Sequence, residues 1–282
     1  MGRVRDPLRA PGPTYIRVQA GIDAALRASS DPFDRVAADY LNVGDMRTPA
    51  GRIEAVAQQA LQSTDPRVYG LAFGLCALDW DAAPSCMKIS PERWAELEPD
   101  NGIAWLHVLD FAHVQGDDAA TREALARMAA ARHFDQRLHA VAGLVAARLP
   151  ADPRSQAPVF DLVERGMKMS SDQEGSPIAL FQICRPGADA TIARECKVIS
   201  ETMFDHADDM RLRAAGAVLH SQVTGDGTKR DRAYAEQDVL GRQDENASEC
   251  QRGRDNVKLL LRVTQVGEFE ALRERSQGPG TP

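Results

Sequence analysis

The chain has 282 residues and a formal net charge of −7; 43% of residues are hydrophobic and only 5% aromatic, too apolar and too evenly charged for a disordered chain. No window approaches the roughly 18 continuous apolar residues that a bilayer span needs, and 43 Ala against 9 Ile excludes a mainly β protein. Residues 1–148 carry 16 basic and 19 acidic side chains and residues 149–282 carry 18 and 22, net −3 and −4, so no basic domain marks a nucleic-acid partner.

The first thirteen residues are basic and proline-rich, and they read as a disordered N-terminal extension. No apolar signal-peptide core follows. The expected location is therefore cytoplasmic, or an oxidising compartment if a leader lies outside this chain. From there on the apolar residues recur with helical period. Ile16, Ala20, Ile22 and Leu26 predict a first helix. Phe33, Val36, Tyr40 and Leu41 predict a second, with Asp31 as its cap and Pro32 at its first position. Ile53, Val56, Ala57, Ala60 and Leu61 form the next stripe, and Val68, Leu71, Ala72 and Leu75 the one after it. The short connection between these two predicts an antiparallel hairpin.

A turn-rich loop at 79–90 leads to a short helix opened by Ser90-Pro91 and carrying Trp94. A longer helix runs to about Gln115, a Gly116-Asp117 turn follows, and residues 119–131 form a partner helix. Phe134, Leu138, Val141, Val145 and Leu149 predict a further helix. Three prolines in residues 149–158 mark a boundary, dividing an N-terminal helical half (14–149) from a C-terminal one (150–275). Beyond it, helices are expected around 159–167, 178–184, 192–203, 210–219, 229–241, 247–263 and 266–275, before a disordered tail at 276–282. The expected fold is all-α: about twelve helices joined by short turns, paired antiparallel.

The segment 97–131 resembles one tetratricopeptide repeat. The resemblance lies in Pro99 and Asn101 ahead of the unit, Trp105 early in its first helix, Gln115-Gly116-Asp117 at the turn, and the small residues Ala119, Ala120, Ala124 and Ala129 of the second helix. Leu109 departs from the pattern, standing where a small residue is usual, and no second unit of about 34 residues matches. The resemblance, over 99–131, implies stacked helix pairs forming a superhelix, with the first helix of each unit lining a concave groove. It places Leu106, Asp110 and His113 on that groove as candidate contacts for a protein or peptide partner. For Ile103, Leu106 and Val114, packing against neighbouring helices is the competing reading.

Five cysteines are present. Cys76 and Cys86 are ten apart across a loop, and Cys184 and Cys196 twelve apart across a turn; both spacings allow a disulfide, as they allow ordinary core packing. Two bridges would place the chain in an oxidising compartment, such as a bacterial envelope. His107, Asp110 and His113 share one helix but span too wide an arc for one metal to reach all three. No nucleophile elbow, phosphate loop or zinc signature occurs. No cofactor is implied. The expected function is a non-enzymatic scaffold that binds a protein or peptide. The alternatives are an all-α enzyme with a site assembled from distant residues, metal-dependent or not, and a disulfide-stapled envelope protein of structural role.

Overall fold

The computed structural model describes residues 13–43, 49–78, 80–137, 140–150, 177–240 and 249–277. The helix expected around 159–167, most of the proline-rich boundary, His139, and most residues of both terminal extensions lie outside them. Among the described residues the fold is all-α, with no strand and fourteen helices: α1 (Pro13–Arg27), α2 (Pro32–Val43), α3 (Pro49–Gln62), α4 (Pro66–Leu78), α5 (Pro91–Leu97), α6 (Gly102–Gln115), α7 (Asp118–Ala130), α8 (Ala140–Ala147), α9 (Ile178–Ile183), α10 (Ala190–His206), α11 (Met210–Thr224), α12 (Thr228–Leu240), α13 (Glu249–Val266) and α14 (Glu268–Gln277).

The helices start where local chemistry satisfies their free backbone N–H groups. Asp31 accepts from Phe33 N at 2.9 Å, with Pro32 at the first helical position. Ser90, Asn101, Asp117, Asp189 and Asp209 cap α5, α6, α7, α10 and α11 in the same way. At the other end of α6 the chain leaves through Gly116 at φ 71°, a left-handed conformation that costs any other residue more.

Successive helices pack on each other: α2 on α3, α3 on α4, α5 on α6, α6 on α7, α10 on α11, α11 on α12, and α13 on α14. Small residues set the closest approach. A Cβ added at Gly216 of α11 would lie 2.7 Å from the Phe204 backbone nitrogen of α10. Contacts also join elements far apart in sequence, with α9 on α6, α10 on α7, and α13 on α8. One apolar core accordingly runs from Phe33 through Tyr69, Phe73, Leu106 and Phe134 to Met203 and Leu219. A second joins α1, α2, α8 and α13 through Tyr15, Leu26, Val145 and Leu260.

The helix predicted from Phe134 starts later, at Ala140. Residues 132–134 are extended because their backbone groups have partners on both sides. Arg132 N donates to Asp100 O at 2.9 Å, Gly102 N donates to His133 O at 2.8 Å, and Asp208 N donates to Phe134 O at 3.2 Å. Phe134 itself is fully buried, its ring against Gly102, where even a methyl group would sit 2.3 Å from it. The segment ties the start of α6 to the α10–α11 turn.

Two cysteine pairs lie at disulfide distance. The Cα atoms of Cys76 and Cys86 are 5.2 Å apart, and those of Cys184 and Cys196 are 5.7 Å apart, within the usual range for bridged residues. The loop closed by the first pair is also held by α3, whose Glu54 accepts from Ser85 N at 2.9 Å and from Ser85 Oγ at 2.7 Å. Those bonds hold the Glu54 carboxyl below the usual carboxylate range.

Candidate binding face on helix α6

Helix α6 is apolar nearly all round, because α5, α7 and α9 pack on it. Its polar residues are therefore exceptions, and three of them form the His107, Asp110, His113 series. Equal spacing puts them in three different environments. The His107 ring packs against Phe73 of α4, centroids 4.6 Å apart, and stacks on Trp94 of α5 at 5.6 Å. Burial pushes its pKa down to about 4, so the imidazole is neutral at pH 7. His113 reaches the other way, its Nε2 lying 3.0 Å from Gln182 Oε1 of α9.

Asp110 lies between them on the helix surface. Its carboxyl makes no hydrogen bond and no pair with Lys or Arg among the described residues. Desolvation raises its pKa to about 7, opposed in small part by His113. One turn on, Val114 is 86% exposed; Phe111, the residue after Asp110, is 37% exposed with its ring 6.0 Å, edge to face, from Trp80. Ile178, at the start of α9, is 62% exposed. This face of α6 thus combines an unpartnered acid, an aromatic edge and an uncovered aliphatic side chain.

Leu106 lies elsewhere. It has no exposed surface and belongs to the core, as does Ile103; the helices around α6 close over both. Trp105 is half-buried, bonded through Nε1 to Pro99 O at 3.0 Å, with the Arg127 guanidinium of α7 5.7 Å from its ring. Among the described residues no three of His, Cys, Asp and Glu are placed to hold a metal ion.

A second polar cluster lies at the α10–α11 turn. Asp208 hydrogen-bonds Asp135, and burial together with Asp135 and Asp209 pushes its carboxyl far above the usual range. Asp209 is the residue that caps α11. Arg137 neighbours the acid pair and binds Glu98 through both terminal nitrogens, Nη1 at 3.0 Å from Oε2. It is the one described non-glycine residue with positive φ, 53°. Asp135 Oδ1 accepts from its backbone N at 2.7 Å and helps hold that conformation. Asp135 and Asp208 meet only because the extended segment crosses the α10–α11 turn, and no short motif announces that.

Compared with known proteins, the chain matches no family model, no curated protein and no solved structure.

Proposed function

We propose that this chain is a non-enzymatic scaffold of stacked, tetratricopeptide-like helix pairs, binding a protein or peptide partner through the α6 face that carries Asp110 and His113. The observation that carries this reading is the pairing of a desolvated carboxyl at Asp110, unpartnered among the described residues, with exposed apolar side chains, Phe111 beside it and Val114 one turn on. An uncovered apolar side chain beside an unsatisfied polar group suits an interface, where a partner removes both from water at once. The α6–α7 hairpin supports the repeat resemblance through its left-handed Gly116, its Asp117 cap and the Trp105–Arg127 contact between its helices.

The test is affinity capture with the full chain as bait, followed by mass spectrometry, run in parallel with Val114→Glu and Asp110→Arg variants. A partner retained by the wild type and lost by both variants, with unchanged thermal melts, supports the reading. A partner bound equally by all three excludes this face.

A further inference from the structure

We propose that the α6 face accepts an arginine side chain of a basic peptide segment, the guanidinium pairing with the Asp110 carboxyl and lying against the edge formed by Phe111 and Trp80. The inference rests on the reading above and names the chemistry of the partner. Asp110 is a carboxyl without a donor among the described residues, and α6 contains neither Lys nor Arg to supply one. Withdrawing an acid from water unpaired is unfavourable, and a guanidinium offers it two parallel charge-assisted bonds.

The surroundings select the same group. Phe111 and Trp80 meet edge to face, which leaves ring surface at the rim of the site. Guanidinium is weakly hydrated and stacks on aromatic faces, whereas an ammonium is a compact, strongly hydrated point charge. The neutral imidazole of His107 adds no repulsion. Exposed Val114 can cover the aliphatic stem that carries the cation. The chain as a whole bears −7, so its long-range field also draws a basic partner and repels an acidic one.

A random-peptide library displayed on phage and panned on the immobilised full chain provides the probe, with synthetic copies of the selected peptides measured by calorimetry. Selected peptides should share an arginine. Replacing that arginine with norleucine, or Asp110 with asparagine, should each weaken binding at least tenfold, and the two changes together should cost less than their product. Peptides that are lost on Val114→Glu but bind without any basic residue would overturn the arginine inference and leave the partner-binding face intact. An absence of enriched peptides, or enriched peptides indifferent to both Val114→Glu and Asp110→Asn, would overturn the inference together with the reading beneath it. Far-UV melts of each variant establish that it folds.

Discussion

Replacing Asp208 with asparagine should flatten the dependence of stability on pH. In the folded chain this carboxyl is buried, hydrogen-bonded to Asp135 and close to Asp209, so it holds its proton far above the ordinary aspartate range. In the unfolded chain it titrates near pH 4, in roughly its model-peptide range. Above that pH the folded state binds the extra proton, so stability falls as pH rises, and keeps falling until the folded carboxyl itself ionises. Each pH unit in that window is worth at most about 1.4 kcal/mol, so the ceiling from pH 5 to 8 is about 4 kcal/mol. Asp135 is one-third exposed and Arg137 stands beside the pair, so roughly half that ceiling, about 2 kcal/mol, is expected. Asparagine keeps the shape of the protonated acid and can still donate to Asp135. Urea unfolding of both proteins at pH 5, 6.5 and 8 measures the difference, and histidines that titrate in this range cancel because both chains carry them. The variant should become the more stable of the two at pH 8. Equal slopes for the two proteins, or a variant less stable than the wild type at pH 8, would refute the shared-proton account.

Gly216→Ala should cost about 2–3 kcal/mol, because the atoms in its way include the Phe204 nitrogen and the Ser200 oxygen, backbone that cannot rotate aside. Gly21→Ala, in open space within α1, should instead stabilise by roughly 0.5–1 kcal/mol; thermal melts of both compare a tight site with a free one. Asn101→Ala should destabilise by about 2–3 kcal/mol, since it strands the Asp135 carbonyl, the Asp135 N–H and the Ile103 N–H in one step. The exposed cap Asp117→Ala should lose only about 1 kcal/mol in the same urea assay. Thiol titration of the unreduced, denatured chain should find one free thiol among the five cysteines; five would remove both bridges.

What could be read from the residues depended on how far away the deciding partner lay. The starts of α2, α5, α6 and α7 were legible because Asp31, Ser90, Asn101 and Asp117 act on N–H groups two or three residues ahead. The two cysteine pairs were legible as possibilities because each closes over a short connection, ten and twelve residues in sequence separation. Phe134 was not legible: its stripe with Val141 and Val145 is a sound helical pattern, but the backbone at 132–134 takes its partners from 100–102 and 206–208, and those hydrogen bonds outweigh local periodicity. The same limit acts within α6. His107, Asp110 and His113 are evenly spaced, and no property of α6 distinguishes them. Phe73 and Trp94 enclose the first, Gln182 engages the last, and the residue between them meets neither group. Asp110 is thus set apart by what its neighbours in space leave undone, a property assembled from α4, α5 and α9 together. Such a residue has no motif to find, because its distinguishing feature is a half-buried carboxyl that no side chain or backbone donor engages among the described residues.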